Sequence, residues 1–103
     1  MKLVKLEEEI RNIANIYFVS LRQINLCKLS SGEDDCYSPF YKYYLDVEEA
    51  FKRLDKEKQR IINREYFYDA YKGWWQKEYK ESKFKRIKRI AIKQFVEYFY
   101  EIH

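Results

Sequence analysis

Apolar residues along this chain recur at steps of three and four, the spacing that gathers side chains on one face of a helix. Leu3, Leu6, Ile10, Ile13, Ala14, Tyr17, Leu21 and Ile24 predict a long amphipathic helix over residues 3–28. Glu7, Glu8 and Glu9 lie near its start, where negative charge suits the helix dipole. Such a helix either covers the core of its own domain or offers a surface to a partner. The period then stops. Residues 29–39, LSSGEDDCYSP, gather Ser, Gly, Asp and Pro and are expected to form a loop.

Tyr43, Tyr44, Val47, Ala50, Phe51 and Leu54 restore the helical period over residues 40–54. Asp55 is placed to cap a third helix, in which Ile61, Ile62 and Tyr66 face inward. Residues 67–73, FYDAYKG, read as a connection, with Gly73 free to take a positive φ. Trp74, Trp75 and Tyr79 then predict a short helix over 74–79. Ser82 is read as the N-cap of the last helix. Within it Phe84, Ile87, Ala91, Phe95, Tyr98 and Ile102 step by 3, 4, 4, 3 and 4 along one apolar stripe.

The expected fold is all-α, a small helical domain of about five helices that ends in a helix-turn-helix. A chain of 103 residues supports one core, so residues 1–103 are expected to be a single domain. Its parts are the N-terminal helix 1–28, the loop 29–39 and a helical remainder, 40–103. Only 2 Gly and 1 Pro interrupt the chain, which favours long helices over a turn-rich sheet. Aromatic residues are 19% of the total, and the 11 Tyr can build a core while keeping a hydroxyl at the water boundary.

Charge changes the picture through its distribution. The net charge of +4 is modest, and residues 1–82 hold 15 Lys/Arg against 15 Asp/Glu. Residues 83–93 hold Lys83, Lys85, Arg86, Lys88, Arg89 and Lys93 with no acid. Beyond them lie only Glu97 and Glu101. The positive excess therefore sits on one helix, the footprint expected for a phosphate backbone. A solvated helix face is the plain alternative. Arg86, Arg89 and Lys93 step by 3 and 4 on a different face from the apolar stripe. The helix can therefore dock on a core and still present cations outward.

A short helix, a turn near 80–82 and a basic helix from 83 are the parts of a DNA-reading helix-turn-helix. Its second helix enters the major groove and the flanking groups hold phosphate. Arg and Lys suit guanine O6 and N7, and Ser82 can add a hydroxyl or backbone N–H toward a phosphate. The candidate DNA-binding residues are Ser82, Lys83, Lys85, Arg86, Arg89 and Lys93.

Residues 46–99 resemble the promoter-reading region four of bacterial sigma factors, and more nearly the ArpU-like phage transcription regulators. The resemblance lies in Ala50, Phe51 and Leu54, in Ile61-Ile62 and Tyr66-Phe67, in WWQKEYKES at 74–82 and in KFKRIKRIAIKQF at 83–95. In such proteins a Ser precedes a recognition helix that ends in an Ala-Ile-x-x-Phe-like motif, matched here by Ser82, Ala91, Ile92 and Phe95. Two positions depart from it: Gln76 stands where the family has Ala, and Lys80 where it has Gly. Residues 1–45 are also too short for the promoter-melting domain of a sigma factor. The resemblance implies a DNA-binding transcription regulator, with double-stranded DNA as partner and RNA polymerase as a further candidate.

Catalysis needs convergent titratable groups. The single His, His103, sits at an end expected to fray, and no Gly-rich phosphate loop or metal-ligand spacing occurs. No enzymatic activity, cofactor or metal is expected. The acidic triplet Glu33-Asp34-Asp35 lacks the spaced ligands of a calcium loop. Cys27 and Cys36 are expected to be reduced thiols. The opening MKLVKLEEEIRN is broken by charge and does not read as a secretion signal, so a cytoplasmic location away from membranes is expected. Two other readings stay open. The chain could be a helical interaction module that binds RNA polymerase or forms a homodimer. It could also bind single strands through Tyr66, Tyr68 and Tyr71.

Overall fold

The computed structural model describes residues 3–30, 39–68 and 70–103. Four α-helices occur among them: α1 (Leu3–Ser30), α2 (Pro39–Lys52), α3 (Lys56–Ile62) and α4 (Glu81–Ile102). The all-α expectation holds. The loop expected at 29–39 falls almost wholly on residues 31–38, outside the described residues, as do Cys36, the acidic triplet and the side chain of Cys27.

The helices follow from local chemistry. Pro39 opens α2, at a first-turn position where its missing N–H removes no helical bond. Asp55 caps α3 as expected: its backbone is extended and its carboxylate accepts from the Lys58 N–H at 2.9 Å. Lys58 also brings its ammonium to 2.6 Å from the same carboxylate. Together these contacts hold the Asp55 pKa below its ordinary value. The acids Glu7 to Glu9 fall outside the first turn of α1, which begins at Leu3. The dipole contribution expected of them is therefore weak, because it fades beyond that turn.

Two expectations about element ends are corrected. Residues 74–79 do not form a regular helix; residues 72–78 run through consecutive turns instead. Gly73, at φ +79°, bends the backbone into them, and of the expected helix only the Tyr79 N–H to Trp75 carbonyl bond, at 2.9 Å, has helical spacing. Residues 74–79 therefore do not supply the short first helix of the expected helix-turn-helix, and the described residues hold four α-helices against about five expected. Nor is Ser82 an N-cap. That position belongs to Lys80, whose carbonyl accepts from the Phe84 N–H at 2.9 Å, and Ser82 is already helical.

A further departure lies after α3. The chain continues into a single wide π turn, Asn63–Phe67, closed by Tyr68 N–H on the Asn63 carbonyl. A π turn inserts extra backbone and re-aims its side chains. Here it turns Phe67 toward α1 and α4, where its ring meets Tyr17 at 5.3 Å and Phe95 at 5.9 Å.

The main core lies where α1, α2 and the C-terminal half of α4 meet. Leu6, Ile10 and Ile13 of α1 pack with Val47 and Ala50 of α2. Leu54 and Ile62 join them with Ala91, Ile92, Phe95, Val96 and Phe99 of α4. Polar pins sit at its edge. Tyr17 donates to Glu48 at 2.5 Å across α1 and α2. Burial, with this carboxylate beside it, pushes the Tyr17 hydroxyl well above the ordinary phenol range. At the other end His103, expected to be frayed, is held: its ring stacks on Phe99 at 4.9 Å and its Nδ1 lies 2.9 Å from Asp46 Oδ2. Lys42 completes this pin at 2.7 Å.

A smaller cluster of Ile61, Trp74 and Phe84 sits apart, flanked by Ala70, Trp75, Tyr79 and Ile87. It seats the first turns of α4. No described helix is long and apolar enough to cross a membrane.

A candidate nucleic-acid interface on α4

The first half of α4 is fixed by aromatic packing. Phe84 is buried between Trp75, stacked on it at 4.5 Å and 8°, and Trp74, edge-on at 5.7 Å. Tyr79 closes the third side at 5.7 Å. Trp74 is 4% exposed and belongs to the interior. Its indole N–H donates to Glu65 at 3.0 Å. The guanidinium groups of Arg64 and Arg60 lie over its ring at 5.0 and 5.5 Å, in reach of cation–π attraction.

Glu65 is the hub that sequence reasoning missed. Besides the Trp74 N–H it takes the Lys88 ammonium at 2.7 Å. Lys88 also lies 5.6 Å from the centre of the Tyr66 ring. So one of the six cations of residues 83–93 points inward and ties α4 to the π turn. The only cue in the sequence is that Lys88 falls beside Phe84 and Ala91 on the helical wheel. Tyr66 is half-buried with its hydroxyl unpaired, and burial raises its pKa.

The remaining cations are all exposed. Ser82, Arg86, Arg89 and Lys93, spaced 4, 3 and 4 apart, form one ridge on the side of α4 opposite its buried stripe. Lys83 flanks the ridge on one side and Lys85 on the other. Lys85 is partly neutralised, with Glu81 at 2.7 Å. That contact holds the fully exposed Glu81 carboxyl below its ordinary pKa. Lys83, Arg86, Arg89 and Lys93 form no ion pair among the described residues. Arg89 and Lys93 also overhang a groove of about 750 Å³ floored by Leu6 and Val96.

The acids near the first turns of α4 are occupied elsewhere. Glu78 pairs with Arg60 at 2.6 Å, Glu65 with Lys88, and Glu57 accepts from the Tyr79 hydroxyl at 3.0 Å. At the helix start no side chain caps the first N–H groups, so they open to solvent beside Ser82 and Lys83. All six candidate residues thus share the exposed side of α4, five in its first half and Lys93 just beyond the middle, although neither a cap at Ser82 nor a preceding short helix puts them there.

Among the described residues, no group of three or more His, Cys, Asp or Glu is placed to hold a metal ion. No family model, no curated protein and no solved structure matches the chain.

Proposed function

We propose that this chain is a DNA-binding regulator that lays the first half of α4 against duplex DNA. The observation that carries the reading is the unpaired ridge of Arg86, Arg89 and Lys93, with Lys83 beside it, on a helix whose other side is anchored. A helix of this diameter fits the major groove, and guanidinium groups on it reach either base edges or phosphates. The uncapped N–H groups at Glu81 to Lys83 add a partial positive charge toward phosphate. The turns of residues 72–78, with Tyr79, clamp Phe84 and so aim the ridge. Regulation of transcription is the role that the sequence resemblance adds.

Fluorescence anisotropy of a labelled mixed-sequence duplex, titrated with the protein at several salt concentrations, tests the proposal. Binding that weakens steeply with salt is expected, with a log–log slope of about −0.9 for each phosphate neutralised. No binding at low salt contradicts it. Tighter binding to single strands than to duplex would move the reading to exposed Tyr68 and Tyr71.

A further inference from the structure

The outward ridge of α4 changes sign along its length. Arg86, Ile90, Lys93, Glu97 and Tyr100 follow one another by steps of 4, 3, 4 and 3, all exposed and opposite the buried face. Two of them are large apolar residues on an otherwise charged surface, Ile90 at 43% and Tyr100 at 55% exposure. Lys93 and Glu97 are one turn apart, yet no ion pair forms between them. Their order, cation before acid, is the weaker one for pairing within a helix. Both charges are therefore free for a partner.

We propose that this ridge pairs with a second copy of itself, the two α4 helices running antiparallel about a two-fold axis midway between Lys93 and Glu97. A two-fold interface is self-complementary: a contact from one residue to another is repeated with the roles exchanged. In this register Lys93 stands opposite the partner's Glu97, and Glu97 opposite the partner's Lys93. Ile90 meets the partner's Tyr100, and Tyr100 the partner's Ile90. A parallel arrangement would instead stack Lys93 on Lys93 and Glu97 on Glu97. The register thus satisfies charge and apolar contact at once, with steps of three and four that suit a helix pair. Tyr100 keeps its hydroxyl on Glu9 of its own chain, which leaves its ring face for the partner.

The pairing stands apart from the DNA reading. Only its consequence rests on that reading: the dimer covers Lys93 and leaves Arg86 beyond the partner helix, so it competes for the Lys93 end of the ridge with DNA.

Sedimentation equilibrium of the full chain without DNA tests the dimer, with far-UV circular dichroism confirming the helix content of each variant. The chain is expected to show a concentration-dependent dimer that salt dissociates. Glu97→Lys or Lys93→Glu alone should weaken it roughly tenfold, since each loses two exposed ion pairs and gains two repulsions. Mixing the two single variants sets an acidic pair on one helix against a basic pair on the other and should restore association as a heterodimer. A chain that stays monomeric at low salt overturns the proposal. So does a dimer indifferent to both single variants, a mixture of the two folded single variants that stays monomeric, or a dimer lost instead on Val19→Asp, which would put the interface on α1. Failure of the DNA titration alone leaves each of these outcomes unchanged.

Discussion

The two ends of α4 are held by different means. From Ala91 onward the helix is part of the main core, sharing Ala91, Ile92, Phe95, Val96 and Phe99 with three other helices. Its last residues are pinned further by the His103 and Asp46 contact. Before Ala91 the helix rests on a small aromatic seat, Phe84 between Trp74, Trp75 and Tyr79, and on the Lys88 contact with Glu65. The seat is contributed largely by turns and not by another long helix. All the cations of the ridge but Lys93 lie on this second end. The comparison separates what keeps the chain folded from what aims its charge. The large cluster fixes that α4 exists, and the small one fixes where its first turns point.

Substitutions at the two ends should therefore differ in kind. The largest effect is expected in the main core. Phe95→Ala removes a ring with no exposure, which costs about 3–5 kcal/mol. Since small domains hold only about 5–15 kcal/mol in total, much of this chain's stability would go, visible as a fall in the thermal midpoint by circular dichroism. Trp75→Ala should cost less, about 2 kcal/mol, because that ring is only half-buried and acts through Phe84. Its signature is local: amide exchange should quicken from Phe84 to Lys88 and stay slow from Ala91 to Phe99. Equal acceleration along the whole helix would dissolve the comparison.

A smaller effect is expected at the pinned end. Burial pushes the Asp46 carboxyl up, but hydrogen bonds from Lys42 and His103 more than offset it, leaving its pKa below the ordinary 3.8. A group depressed on folding stabilises the folded chain above its unfolded pKa. That contribution is lost as pH falls from about 3.8 through the lower folded value. Asp46→Asn should cost roughly 1–2 kcal/mol at neutral pH and flatten the acid limb of the stability profile. An unchanged acid limb in the variant would show that the pin contributes nothing.

The parts of the fold that sequence made legible are the local ones. Asp55 caps α3 because a carboxylate just before a helical run meets orphan N–H groups three residues on. Gly73 takes the positive φ that glycine tolerates. The stripe from Phe84 to Ile102 points inward because helical spacing leaves it no other face. What was illegible depends on partners distant in sequence. Trp74, Trp75 and Tyr79 all face inward, as residues of a helix would, but Phe84 and the Glu65 carboxylate draw them there from a chain of turns. Ser82 lost the cap because the turn closing on Phe84 starts at Lys80. No spacing rule marks the π turn at 63–67, so Glu65 could not be matched to Lys88 in advance. The candidate ridge itself was legible, since Arg86, Arg89 and Lys93 needed only helical spacing to share a face. That Lys85 is partly neutralised follows from its position four residues after Glu81.

The double variant Arg86→Ala/Arg89→Ala tests the central claim most directly, because both side chains are exposed and neither is paired among the described residues. Stability should change by less than about 0.5 kcal/mol. The salt dependence of duplex binding should flatten by about 0.9 in log–log slope for each contact removed, near two units if both guanidinium groups neutralise phosphates. A folded double variant that binds the same duplex with the parental slope would contradict the assignment of this ridge to DNA.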